Sequence, residues 1–417
     1  MASTYLTRTP SSSGNRKTFT FSFWFKRSKL SSTQYIYNQY NSSNGYNSAI
    51  LFNSTDNFII WDYTNAYQLN LVPNRKFRDT NAWYHIVIAV DTTQATASNR
   101  AKIYINGVQE TSFSTATYPS QNLDLRINEY QPQQIGIFRY GSTNADFFDG
   151  SMSYFAFVDG TAELPTIFGE TDSVTGQWKI KTDITPSVAW GTNGFLILKN
   201  GNSLTDESTN SNNFTLGGGT LTNTLDCPDN VFATFNSLAR FPVAPTYSNG
   251  NNTTTAGAGG SGSSPFSTIG ASSGKYYAEF SLGSANGGGI SCGIIDITQF
   301  NPNFQTDAWF YYPTYGYAYM SSNGKKGNNN AEANYANSYT NGDKIGVAMD
   351  LDNNKLYFAK NGVWQNSGDP TSGATGTGAA FTIADGTYGF AVYGYQEKVW
   401  YANFGNGTFG TSAVTSA

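Results

Sequence analysis

The chain has 417 residues, enough for two or three domains, and only 12% of them are charged, for a formal net charge of −4. That balance excludes nucleic acid as a partner, because no basic stripe is available to release counterions. Aromatic residues reach 16%, with 28 Tyr, 29 Phe and 43 Gly, and runs of helix formers are nearly absent, so the chain reads as all-β.

The opening MASTYLTRTPSSSGNRK has no apolar segment of the kind a secretory signal needs. No apolar run approaches the roughly 18 residues of a membrane helix. The expectation is a protein made in a cytoplasm, without membrane insertion. Phe19, Phe21, Phe23 and Phe25 then alternate with Thr20, Ser22 and Trp24, the period of a strand. Residues 50–52 and 58–61 read as short strands. Residues 83–90 and 102–108 form a hairpin that runs into Asn106-Gly107, a strong turn signal. A strand is expected over 135–138, and another over 151–158 after Phe147-Phe148-Asp149-Gly150.

Residues 161–229 change rhythm. One short helical turn is expected over 163–170, and Trp178, Trp190 and Phe214 stand among Gly, Asn, Thr and Ser. So many large apolar residues predict an ordered connector rather than a flexible linker. A second β region begins near residue 230. It holds a loop at 257–264, strands at 275–282 and 293–297, and an aromatic-rich segment at 307–319. Ile345, Val347, Met349 and Leu351 then alternate with Lys344, Gly346, Ala348 and Asp350. Asp352-Asn353-Asn354 turns the chain, and 356–359 returns into Asn361-Gly362. This hairpin repeats the logic of the first one, which suggests two related sandwiches.

The order FSFW, WYHIVI, IYINGV and FDGSMSYFAFVDG over residues 5–160 resembles a LamG-type domain of the concanavalin A-like lectin/glucanase superfamily. GKYYAEF, GDKIGVAMDLDNNKLYFAKNGV, TYGFAVYGY and ANFGNGTFG over 230–410 resemble a SPRY domain. The joining phrases FGETDSVTGQWKIK, GTNGF, STNSNNFTL and DCPDNVFATFN look like those of LamG–SPRY structural proteins of tailed phages, marine phages among them. The resemblance implies two concanavalin A-like antiparallel β-sandwiches: 1–160 LamG-like, 161–229 connector, 230–417 SPRY-like. It also implies a place on the virion surface. The region 230–417 is expected to fold alone.

Catalytic chemistry has little to work with. His85, the only histidine, sits in an apolar strand, and no serine or cysteine has a nucleophile-elbow context. Paired glutamates of the E-x-D-x-E kind are missing, so a glycosidase reading lacks its two carboxylates. Asp350, Asp352 and Asn354 imitate the start of a calcium loop without its glycine and closing glutamate, and read as turn formers. Asp62, Asp149 and Asp159 are possible rim donors for calcium, with turn formation the favoured reading. Cys227 and Cys292 are expected to be buried free thiols. No metal or cofactor is predicted, and the chain is read as non-enzymatic.

The candidate ligand surface is the aromatic segment with its following loop: Trp309, Tyr311, Tyr312, Tyr315, Tyr317, Lys325 and Lys326. Tyr and Trp offer broad apolar bodies with a polar edge, which suits sugars and proteins alike. The leading expectation is a tail fibre or adhesion protein that contacts host-surface glycan or protein. The alternative is a capsid decoration protein, and a weaker third is a polysaccharide-cleaving enzyme. Other virion proteins, and further copies of this chain, are the expected neighbours.

Overall fold

The computed structural model describes residues 3–239, 243–258, 262–283, 290–299 and 309–409, with the backbone of 412 and 413. Among them the chain is all-β, and its helical segments are 3-10 turns of three residues. It divides into two compact units, Met1–Val231 and Phe232–Ala417. No helix among the described residues is long and apolar enough to cross a membrane, which says nothing of strands.

The first unit is built on two antiparallel sheets. Six strands run in the order Phe195–Ile197, Gly150–Asp159, Thr18–Arg27, Tyr84–Asp91, Ala101–Ile105, Val108–Gln109. Eight run in the order Phe113–Thr117, Tyr67–Pro73, Phe58–Tyr63, Asn47–Phe52, Gln34–Tyr40, Gln133–Ile135, Tyr5–Arg8, Thr215–Gly218. Phe19, Phe21, Phe23 and Phe25 point inward and are fully buried, at about 1.5–3 kcal/mol for each such ring. They meet Ile36, Ile50, Phe52, Ile60 and Leu71 of the facing sheet in one core. The expected strand 135–138 is in fact broken at Gly136 (φ +88), where one strand ends and Phe138–Tyr140 begins a short hairpin with Thr143–Ala145.

The stretch 161–229, read as a connector, is not a separate body. Phe195–Ile197 extends one sheet and Thr215–Gly218 the other. Phe168, Ile184, Val188 and Trp190 cover the outer face of the six-stranded sheet against Val87, Ala89, Tyr104, Ala156 and Val158. Polar side chains fasten these passages. The Asp159 carboxylate accepts from the Asn15 N–H (2.7 Å), the Asn128 amide (2.7 Å) and the Asn193 N–H (3.0 Å). Asp206 accepts from the Leu196, Ser208 and Asn212 N–H groups, which explains the dense Ser/Asn wording of that segment. The Lys26 ammonium meets Asp226 at 2.7 Å with both side chains buried, and the Trp83 indole donates to the same carboxylate at 2.9 Å.

The second unit repeats the plan. Its larger sheet runs Thr246–Ser248, Thr253–Thr255, Val399–Asn403, Lys275–Leu282, Lys344–Asp350, Lys355–Lys360, Val363–Trp364, with Phe381–Thr382 added on Lys355–Lys360. The smaller runs Ala331–Ala333, Lys326–Asn328, Gly316–Met320, Ser291–Asp296, Tyr388–Tyr393. Ile345, Val347, Met349 and Leu351 enter the core, as their alternation predicts. Asn361 (φ +50) and Gly362 (φ +78) make the second turn, as Asn106 (φ +47) and Gly107 (φ +79) do in the first unit. Residues 259–261 of the expected loop lie outside the described residues.

Candidate functional site

The aromatic segment chosen from sequence lies in the second unit, with residues 307 and 308 outside the described residues. Residues 309–315 cross the outer face of the five-stranded sheet. There Phe310 and Tyr311 pack with Phe266, Ile295, Met320 and Tyr393. Trp309 is half-buried and stacks on Tyr393 at 4.4 Å between ring centres. Tyr312 lies parallel to Trp309 at 6.4 Å and is 36% exposed. Tyr315 is half-buried.

Tyr311 and Tyr317 do not belong to a surface. They are 3% and 5% exposed. The Tyr311 hydroxyl reaches Glu332 at 3.3 Å, and the Tyr317 hydroxyl accepts the Ala384 N–H at 3.1 Å. The alternation argument sends half of these rings outward. It fails because the Gly316–Met320 strand is buried on both faces. Lys325 pairs with Glu332 at 3.3 Å. Lys326 donates to the Ala380 carbonyl and lies 5.1 Å from the centre of the Phe381 ring, and burial lowers its pKa. Trp309, Tyr312, Tyr315 and Lys325 thus remain as surface residues, and Lys326 is largely spent on structure.

His85 is a packed strand histidine. The Trp178 indole N–H donates to its Nδ1 at 3.0 Å, so Nε2 carries the proton and donates to Ser22 Oγ at 2.8 Å. Trp24 stacks on one face at 4.7 Å, Trp178 lies parallel at 6.0 Å, and burial drives the pKa down to about 3. Gly107 is required beside it, since a Cβ there would sit 2.4 Å from the Trp178 ring.

Both cysteines are free. Cys292 is buried, whereas Cys227 is only half-buried and its thiol donates to Asp229 at 2.9 Å. Asp350 accepts from Asn353 and pairs with Lys275 at 2.8 Å, and Asp352 accepts the Gly274 N–H at 2.7 Å, both as turn holders. Among the described residues no group of three or more His, Cys, Asp or Glu is placed to hold a metal.

A surface that sequence reasoning did not single out lies on the outer face of the first unit's eight-stranded sheet. Residues directly opposite in antiparallel strands share a face. Tyr40, Asn47, Tyr63 and Tyr67 form one such row across four strands, and Asn38, Ala49, Trp61 and Asn70 form the next. At a strand spacing of ~4.8 Å each row spans roughly 14 Å. The turn between Tyr63 and Tyr67 is set by Asn65 (φ +62), whose amide donates to the Tyr46 hydroxyl at 3.0 Å. Tyr67 meets Tyr63 at 5.3 Å and Trp61 at 5.8 Å, both edge to face. Phe138 and Tyr140 of the short hairpin lie on Tyr35 (4.7 Å) and Tyr40 (4.6 Å), covering one end.

The other end stays open. Tyr67 is 51% exposed, and Trp61 and Tyr63 are half-buried. The side-chain carbonyl oxygens of Asn47 and Asn70 accept no hydrogen bond, a state that costs about 1–3 kcal/mol per group when buried. Burial pushes the Tyr35 phenol up to about 12, with Asp146 adding to it. A signal for this face existed in FIIWDY at 58–63: Ile59, Trp61 and Tyr63, the set opposite the core, are as apolar as the core set. Beyond it, a cavity of about 570 Å³ opens elsewhere in the first unit, lined in part by Tyr5, Trp83, Ser151 and Met152.

Residues 2–167 match the family model described as the concanavalin A-like lectin/glucanases superfamily, and residues 275–401 match the SPRY domain. The chain therefore carries a LamG-like sandwich and a SPRY sandwich, and such domains point to a binding or recognition role. No curated protein matches the chain. Similar solved structures include the SPRY domain of human HERC1, at 17% identity over 41% of this chain and 98% of that one, with a TM-score of 0.33. Stonustoxin is 15% identical over 41% of this chain and 27% of that one, with a TM-score of 0.32. A native heptameric SAP-like pentraxin from Limulus polyphemus is 16% identical over 38% and 71%, with a TM-score of 0.29. At these scores the three likenesses carry no argument.

Proposed function

We propose that this chain, a LamG-like sandwich joined to a SPRY sandwich, is a non-enzymatic recognition protein that binds surface glycan through the open aromatic face of its first unit. The observation that carries the reading is the open end of the two rows, where the Trp61, Tyr63 and Tyr67 rings lie beside the Asn70 amide, while Asn38, Asn47 and Ala49 are buried. Sugar rings present C–H faces to aromatic rings and hydroxyls to amides, so both halves of the surface are used.

The setting proposed is the surface of a tailed-phage particle, on the strength of the joining phrases at 168–236 that resemble phage LamG–SPRY proteins. A tail fibre or adhesion protein that touches a host glycan or protein is the first form of this reading. Capsid decoration is the second, since the sequence has no heptad or collagen-like repeat of a long fibre. Trp309, Tyr312, Tyr315 and Lys325 offer a separate surface for a neighbouring virion protein.

The test uses the purified full chain against a panel of bacterial surface polysaccharides. Binding to at least one, lost in Trp61→Ala and kept in Tyr312→Ala, is the expected result. Binding that survives Trp61→Ala moves the glycan site elsewhere, and release of shorter glycans would overturn the non-enzymatic part. Antibody labelling of particles separates tail from capsid.

A further inference from the structure

The cavity of about 570 Å³ in the first unit has room for roughly twenty waters. It is bordered by the Gly150–Asp159 strand. That strand pairs with Phe195–Ile197 only through Phe155, Ala156 and Phe157. Just beyond this pairing two large residues adopt left-handed backbone, Tyr154 at φ +49 and Leu198 at φ +58. Such conformations cost about 1–3 kcal/mol each and persist where the surroundings enforce them.

The two strained residues are bonded to each other. The Tyr154 N–H donates to the Leu198 carbonyl at 3.1 Å, and the Ser153 hydroxyl reaches the same oxygen at 3.5 Å. Their effect is to end the ladder and turn the chain after Leu198 away from the strand. Residues 150–153 stay paired with Arg27, Lys26, Phe25 and Trp24 on one side. Ser151 and Ser153 turn their backbone groups toward Lys26 and Trp24, and those of Gly150 and Met152 face the other side, where no backbone group among the described residues bonds them. This open edge lines the cavity, together with Tyr5, Leu6 and Ile135 from the opposite sheet and Leu221 and Leu225 from the segment beyond.

We infer that this edge receives an extended peptide from another protein as an added strand, with apolar side chains at alternate positions. An unpaired strand edge calls for a backbone partner, and open edges are usually blunted by charge, proline or a covering loop. Here the edge is recessed in a cavity instead, which keeps broad sheets out and admits one strand. Four edge residues span roughly 13 Å, and the apolar lining offers places for every second side chain of the guest. A sugar or compact apolar molecule would leave the row of backbone groups unmatched. The inference stands apart from the glycan reading, whose residues lie on the outer face of the other sheet.

The experiment is residue-resolved hydrogen exchange on the full chain. The probe is a capped Thr-Val-Thr-Val-Thr-Val peptide at millimolar concentration, and the control is the same peptide N-methylated at alternate residues. The expected result is at least about tenfold slower exchange at the Gly150 and Met152 amides with the plain peptide and none with the methylated one. Thr222→Trp, placed to fill the cavity, should abolish the protection with an unchanged melting temperature. Should that variant unfold, the methylated control alone decides. Absence of protection, equal protection by both peptides, or protection confined to the outer strands Val108–Gln109 and Phe113–Thr117 would each overturn the inference. So would protection that rises with chain concentration without any peptide, since the guest would then be a second copy.

Discussion

The two sheets of the first unit present the same kind of outer face and meet different fates. Each turns apolar and aromatic side chains away from the shared core: Trp24, Val87, Tyr104 and Val158 on one, Tyr35, Trp61, Tyr63 and Tyr67 on the other. The first is sealed by the chain itself, through Phe168, Trp178, Ile180 and Trp190. The second is covered at one end by the Phe138–Tyr140 hairpin and left open at the other. A strand that is apolar on both faces says that both will be covered. It does not say by what. Where the chain supplies no cover, exposed aromatic area marks a place for a partner.

Removing the seal is the strongest way to break this contrast. Trp190 is 2% exposed, and its indole donates to the Thr185 carbonyl at 3.2 Å. Trp190→Ala should destabilise the first unit by about 3–5 kcal/mol, the range for aromatic core truncations. Denaturant melts read by a first-unit probe check it. A loss below 1 kcal/mol would mean the sealed face is as dispensable to folding as the open one.

The sealed face also carries the buried histidine. His85 has a folded pKa near 3 against an ordinary value of 6.5, and the cause is burial. A lowered base means that the unfolded chain takes up the proton first as pH falls. Stability from this residue is therefore fully present above pH 6.5 and is lost progressively between 6.5 and 3. The slope approaches about 1.4 kcal/mol per pH unit, so roughly 2 kcal/mol should disappear between pH 7 and pH 5. His85→Gln should flatten that part of the stability–pH curve, whatever it does at pH 7. An identical slope in the variant would place the titration elsewhere.

Much of this architecture was legible in the sequence, because period-two patterns and Asn-Gly turns act locally. Phe19 to Phe25 and Ile345 to Met349 enter their cores as their alternation predicts. The candidate surface was harder to read. Tyr311 and Tyr317 were chosen for aromatic density, but density marks a core as readily as a face. What separates the two is the assembled packing: Tyr317 faces the core between the sheets, and Tyr311 packs down on the outer face of the five-stranded sheet against Phe266, Ile295 and Tyr393. In the same way, nothing local to residues 161–229 says that Trp178 will end beside His85, 93 positions away. The open rows at Trp61 and Tyr63 depend on cross-strand register, which only the assembled sheet fixes.

The second unit offers an intermediate case. Tyr312 and Tyr315 sit at the edge of a buried aromatic cluster, one 36% exposed and one half-buried. Replacing both by Ala should cost about 1–2 kcal/mol, more than a bare surface pair and less than two core rings. Calorimetry on the full chain checks the size. A loss of 5 kcal/mol or more would class both as core and withdraw them as a docking surface.

The smallest effect on stability should come with the largest on binding. Tyr67 is 51% exposed, in edge contact with Tyr63 and Trp61, and among the described residues no ion pair or buried hydrogen bond depends on it. Tyr67→Ala should shift stability by no more than about 0.5 kcal/mol, as surface substitutions do. If the open face is a glycan platform, the same change removes a rigid ring whose ordering on binding costs little side-chain entropy, and affinity should fall roughly tenfold. Tyr67→Phe separates the two ways the ring acts. Retained affinity assigns the contact to the ring face, and loss equal to that of Ala assigns it to the hydroxyl. Unchanged affinity in Tyr67→Ala, with stability also unchanged, would remove Tyr67 from the binding site and leave Trp61 and Asn70 to carry the proposal.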